Sequence, residues 1–144
     1  MQLDKKNIWI LVANGSSGRI FQSKGRCLKL IQEISSESAH LKSRELGVDR
    51  PGRVYESANP AHHAVEPKTD PHRKEKTRFA HYLASFLNEG AILKKFDKLV
   101  LIASPEFLGD IRGELSKRTY KFVTKEVNKD LTHKNEEEIL SYIF

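Results

Sequence analysis

The chain has 144 residues, a formal net charge of +6 and one cysteine. That length fits a single domain spanning 1–144 with a real core, and 38% hydrophobic content leaves room for a long polar insertion. Cys27 alone excludes an intramolecular disulfide framework and cysteine-rich zinc modules, no apolar run approaches the roughly 18–20 residues that cross a bilayer, and the positive charge favours RNA, DNA, an acidic protein or an anionic surface as partner.

Met1 to Lys6 leads straight into Ile8–Ala13, an apolar run too short for a secretory core of about 7–15 residues. The expectation is a cytoplasmic protein. Apolar on both faces, Ile8–Ala13 reads as a central strand. Asn14 to Gly18 is a turn, and Arg19 to Gln22 is the return strand of a hairpin. A second turn at Ser23 to Arg26 leads to a third strand, which Cys27 opens as a small residue. The alternation there places Leu28, Leu30 and Ile34 on one face.

No clear periodicity follows until Arg73. This long loop, about 35–72, holds His40, His62, His63 and His72, and also Pro51, Pro60, Pro67 and Pro71. Compact domains rarely keep loops beyond about 12–15 residues unless the loop has a task. Helical period returns with Phe79, Leu83, Phe86 and Leu87 on a helix from about Arg73 to Asn88. Arg73, Lys74, Lys76 and Arg78 crowd its first turns, where the helix dipole disfavours cations.

Lys98–Ala103 is a second buried strand. Ser104-Pro105 supplies an N-cap and first helical position for a helix with Leu108, Ile111 and Leu115 on one face, ending near Arg118. Tyr120 to Val127 reads as an edge strand interrupted by charge. A last helix is capped by Thr132, with Glu136, Glu137 and Glu138 in its early turns. The expected fold is α/β, a ribonuclease-H-like mixed sheet of three antiparallel and then two parallel strands, order 3-2-1-4-5, with about three helices.

Each chemical motif meets a simpler reading. Two-metal nuclease chemistry needs carboxylates on the central strands, and neither Ile8–Ala13 nor Lys98–Ala103 has one. His62, His63 and His72, with Glu66 and Asp70, are the alternative metal ligands. Adjacent histidines seldom face one metal and no helical spacing organises these, so no metal or cofactor is expected. Asn14 to Gly18 lacks the P-loop lysine and leads to a strand. Ser104 is explained as a cap, and no GxSxG elbow occurs. Nothing marks an enzyme.

Several stretches keep one order along the chain: Trp9 to Gly15 with Gly18 to Phe21, Gly52 to Ser57, and His63 to Pro71 with Phe79-Ala80. Leu99 to Gly109, Arg112 and Lys129 to Thr132 complete them. Together they resemble the bacterial host attachment family, proteins required for attachment to host cells. That family looks like a branch related to the middle domain of archaeal and eukaryotic peptide-chain release factors. The resemblance implies the layout derived above and an RNA- or ribosome-facing loop. The release-factor Gly-Gly-Gln is absent from the chain, so peptidyl-tRNA hydrolysis by it is not expected. The family name also implies a protein or polysaccharide partner in attachment. The binding residues expected on either reading are Arg53, Tyr55, His62, His63, Glu66, Lys68, Asp70, Arg73, Lys74, Lys76 and Arg78, with cations on phosphate and Tyr55 and the histidines on unpaired bases.

Overall fold

The computed structural model describes residues 7–45 and 71–144, with side chains at 7–41 and 73–144. One five-stranded sheet organises them: β1 (Ile8–Ala13), β2 (Ser17–Lys24), β3 (Cys27–Ser35), β4 (Lys98–Ala103) and β5 (Val123–Val127). Its order is β3-β2-β1-β4-β5. β1 pairs antiparallel with β2, and β2 with β3, while β1–β4 and β4–β5 are parallel. This is the ribonuclease-H-like layout expected from the order of elements.

The pairing follows from burial. Ile10 to Ala13 and Leu99 to Ala103 are each 3% exposed or less, so these two strands need cover on both faces. On one face Leu11, Ile20, Ile34, Leu99 and Leu101 pack against helical Phe79, Leu83, Leu87, Phe107 and Ile111. On the other, Ile10, Val12, Phe21, Val100 and Ile102 meet Leu131 and Ile139.

Five helices occur among the described residues: α1 (Ser36–Glu45), α2 (Pro71–Ile92), α3 (Pro105–Glu114), α4 (Lys117–Tyr120) and α5 (Glu136–Ile143). α1 lies inside the stretch read as loop. Ser35 Oγ accepts the Ser38 N–H at 3.0 Å and, among its described side chains, only Ala39 is fully buried, so a mostly polar sequence gave no helical period. α2 starts at Pro71, whose fixed φ suits a first turn, and runs on to Ile92.

Other expectations shift locally. In β3, Ile20 pairs with Gln32 but Phe21 with Leu30, so Ile31 is an extra residue that flips the side-chain parity. Leu28 therefore packs on one core and Ile34 on the other, while Leu30 is 41% exposed. Tyr120 belongs to a short helix capped by Ser116, whose side chain accepts the Thr119 N–H, and β5 begins only at Val123. α5 is capped by Asn135, not Thr132: Asn135 Oδ1 takes the Glu138 N–H at 2.9 Å, while the Thr132 hydroxyl is spent on Asp130 at 2.6 Å. Ser104 does precede α3, but caps it through its carbonyl, which accepts the Leu108 N–H at 2.8 Å.

α2 crosses the sheet antiparallel to β1. A Cβ on Gly90 would sit 2.9 Å from Trp9 Cζ3, and one on Gly15 would sit 2.9 Å from Lys76 Cγ. Residues 76 to 90 of a helix advance about 21 Å, and residues 9 to 15 of a strand about 20 Å. The two match, so the turns before Lys76 project beyond the carboxyl ends of β1 and β4.

Glycines on α2 and α3 should respond oppositely to alanine. At Gly90 a methyl meets Trp9 and Phe96 at 2.9–3.1 Å, and overpacking two aromatic rings should destabilise the fold by about 1–3 kcal/mol. At Gly109 nothing lies within 4 Å of the added methyl, so Gly109→Ala should stabilise by about 1 kcal/mol. Urea unfolding of both variants checks the contrast; equal effects would contradict the packing described.

Candidate binding site

Parallel strands leave their connections at their carboxyl ends, where open α/β sheets place ligands. Here Ala13 and Ala103 end side by side, and Asn14 and Ser104 follow them. Asn14 is a junction. Its Oδ1 accepts the N–H groups of Ser16 and Ser17 at 2.8 and 2.9 Å, closing the turn. Its Nδ2 donates to Asp130 Oδ2 at 3.0 Å and to Thr132 Oγ1 at 3.1 Å. Arg19 Nη2 adds bonds to the carbonyls of Thr132 at 2.7 Å and Lys134 at 3.0 Å. The segment after β5 is thereby tied to the turn after β1.

The Asp130 carboxyl feels burial, which raises its pKa, but the hydrogen bonds from Thr132 and Asn14 prevail and hold it below the usual carboxylate range. All four of Asn14's amide bonds are internal, so this half of the edge is a finished structural clamp.

The other half is α2. Ser36 N–H bonds to the Ser16 carbonyl at 2.8 Å, so α1 also leaves from this edge, and α2 re-enters beside it. Arg73 Nη2 meets Asp110 Oδ1 at 2.7 Å, its Nη1 reaches Asp110 Oδ2 at 3.0 Å, and Glu106 Oε2 lies 3.2 Å away. This fork grips α3 and, chiefly through the Asp110 hydrogen bond, holds the guanidinium still more firmly protonated. Lys76 lies along the Gly15 turn. Arg78 Nη1 donates to His40 Nδ1 of α1 at 3.3 Å. Lys74 and Arg78 are exposed and Lys76 is half-buried.

Of the residues expected to bind, Arg53, Tyr55, His62, His63, Glu66, Lys68 and Asp70 lie outside the described residues, as does the side chain of His72. Arg73, Lys74, Lys76 and Arg78 are brought together on the projecting turns. Arg73 differs from the other three, since its charge is engaged by Asp110 and Glu106 at positions far away in the chain. Among the described residues no three His, Cys, Asp or Glu side chains converge as a metal set. Sequence reasoning missed Asp130 and Thr132 as partners of Asn14, and Arg19 as the donor to the Thr132 and Lys134 carbonyls; their positions within the resembling stretches were the available signal.

A further tie secures the edge strand. Arg112 Nη2 meets Glu126 Oε1 at 2.6 Å, and Tyr120 OH donates to Glu126 Oε2 at 2.8 Å. The Arg112 hydrogen bond, opposed by burial and assisted by Tyr120, holds the Glu126 carboxyl below its ordinary pKa. A carboxyl with a lowered folded pKa stabilises above its unfolded pKa of about 4.3 and loses that contribution as pH falls through the folded value. Arg112→Leu should therefore raise the Glu126 midpoint in a carboxyl NMR titration and reduce stability at pH 7 more than at pH 3. Asn14→Ala removes four hydrogen bonds and should cost about 1–3 kcal/mol, read as a lower urea midpoint.

Two comparisons bear on identity. A stretch of 50 residues is 40% identical to the uncharacterized protein RP470 of Rickettsia prowazekii (strain Madrid E), covering 35% of this chain and 33% of that protein. The second match takes in the whole sheet and both halves of the edge: the family described as "protein required for attachment to host cells" matches over residues 9–143. The chain belongs to that family.

Proposed function

We propose that this protein acts by binding, not by catalysis, and that its working surface is the carboxyl edge, where the projecting start of α2 and the segment that precedes it hold an anionic polymer, RNA in the first instance. One observation carries the reading: the first turns of α2 bear Lys74, Lys76 and Arg78, with no acidic residue in the first turn. Lys74 stands in the first turn, at the positive end of the helix dipole, where a cation costs stability, and Lys76 and Arg78 add their charge in the next turn. A partner of opposite charge offsets that cost. Lys68, Arg53, Tyr55, His62 and His63 precede α2 in the chain and would extend the contact with charge and stacking groups; Glu66 and Asp70 would bond base edges or sugar hydroxyls. The resemblance to release-factor middle domains adds the ribosome as a place where such an edge would work. One domain over 1–144, acting in the cytoplasm without a cofactor, completes this reading.

The family description favours a second reading, in which the same edge grips a protein or polysaccharide partner during attachment. Fluorescence anisotropy with a labelled single-stranded RNA separates the two. On the RNA reading, Lys74→Glu/Lys76→Glu/Arg78→Glu weakens binding at least tenfold, and neutral replacements lower the slope of log K against log salt by about 2. RNA binding that is absent, or unchanged in the triple variant, would overturn it. A nuclease-resistant protein partner captured through these residues would then support the second.

A further inference from the structure

The opposite edge of the sheet carries its own surface. α2 ends at Ile92, and Leu93 follows it; they are 58% and 55% exposed. The chain then turns through Lys94, whose φ is 56°, with Lys94 N–H on the Ala91 carbonyl at 3.1 Å and Lys95 N–H on the Gly90 carbonyl at 2.9 Å. This is a Schellman ending in which lysine occupies the left-handed position that glycine takes most readily. Lys94, Lys95 and Lys98 are all exposed.

α4 brings further cations alongside. Ser116 N–H bonds Asn88 Oδ1 at 3.0 Å, one turn before Ile92, and the Phe122 carbonyl accepts the Leu99 N–H at 2.8 Å. Lys121 therefore lies beside Lys98, while Lys117 and Arg118 follow Ser116 at the flank of α2, and all three are exposed. The carboxylates nearby are Glu89 and Asp97, and the latter accepts the Asn7 N–H at 2.9 Å. None of these cations forms an ion pair with another described residue.

We infer that this amino edge is a docking surface for an anionic phospholipid bilayer, with Ile92 and Leu93 entering the acyl boundary and the surrounding lysines and Arg118 on the headgroups. Charge complementarity fixes the sign of the partner. The aliphatic pair selects its chemistry: single-stranded nucleic acid is held by stacking on aromatic faces, which Ile92 and Leu93 lack and which α4 offers only at Tyr120, tied through its hydroxyl to Glu126, whereas branched aliphatics ringed by cations suit the interface of an anionic membrane. Behind the tip, Trp9, Phe86 and Gly90 line a shallow recess shared with Leu93 and Lys95. Trp9 is the chain's one tryptophan, so it reports on this end of the sheet.

The test uses the full chain with vesicles of phosphatidylcholine alone, or of phosphatidylcholine with 40% phosphatidylserine by the ~1 kcal/mol-per-cation logic of surface attraction. Co-sedimentation should appear with the anionic vesicles only and fall with salt. Lys94→Gln/Lys95→Gln should weaken it about 25-fold, the product of about fivefold per cation. Ile92→Ser/Leu93→Ser should weaken it about tenfold or more. Acyl-brominated anionic vesicles should quench Trp9 in the parent protein and not in the Ile92→Ser/Leu93→Ser variant. Circular dichroism of these surface variants checks that each is folded. Absence of vesicle binding, binding without Trp9 quenching, or full binding by Ile92→Ser/Leu93→Ser would overturn the inference. So would a Lys94→Gln/Lys95→Gln variant that loses affinity for single-stranded RNA and keeps it for vesicles.

Discussion

The parallel pairing of β1 with β4 is the constraint on which everything else depends. Both strands are apolar on both faces, in register from Ile8 and Lys98 to Ala13 and Ala103. Two parallel neighbours cannot be joined by a tight turn. The chain must return over one face, and the return needs an element as long as the sheet is deep. α2 meets that need, reaching from Lys76 at the Gly15 turn to Gly90 against Trp9. Every element that follows obeys the same geometry. α3 leaves from the carboxyl edge and β5 starts from the amino edge, so polar connections collect at two opposite ends of an apolar slab.

The two ends are finished differently. At the carboxyl edge, Asn14 bonds Asp130 and Thr132, Asp130 bonds Thr132, and Arg19 holds the Thr132 and Lys134 carbonyls. What they make is a firm rim. Arg73 plays the same part for α2, since its fork on Asp110 fixes the helix start against α3. Lys74, Lys76 and Arg78 are positioned by these ties without forming an ion pair with a described residue, Arg78 donating only to His40.

How much of this was legible in the sequence depended on how local the signal was. Ile8–Ala13, Lys98–Ala103 and the Phe79, Leu83, Leu87 stripe announce themselves through continuous or periodic apolarity, and they sufficed to give the strand order. α1 stayed hidden because its sequence is mostly polar, with Ala39 its one fully buried residue among the described side chains. The faces of β3 were misread because a single extra residue, Ile31, inverts parity, and strand periodicity carries no mark of a bulge. Thr132 and Asn135 are both good caps by type; the Thr132 hydroxyl donates to Asp130 and accepts from Asn14, more than a hundred positions earlier, and the task falls to Asn135. In the candidate site, the cluster at the start of α2 was visible as composition. That Arg73 is spent while its neighbours are not is a tertiary fact. The amino edge escaped notice because its cations come from separate stretches that only the fold joins.

Helix electrostatics then show that the two edges rest on different residues. Cations after a helix C-terminus complement the dipole, so Lys94 and Lys95 have an ordinary reason to follow α2. The cations at its N-terminus have none, and beyond Arg73 no carboxylate among the described residues pairs with them. Charge stands alone as the feature of the carboxyl edge, whereas at the amino edge cations from several stretches act together with exposed apolar side chains. Ile92 and Leu93 stand more than half exposed at the end of a helix. Their presence beside Lys94, held in a backbone conformation that lysine adopts at a cost, is what sets the amino edge apart from an ordinary solvated helix end.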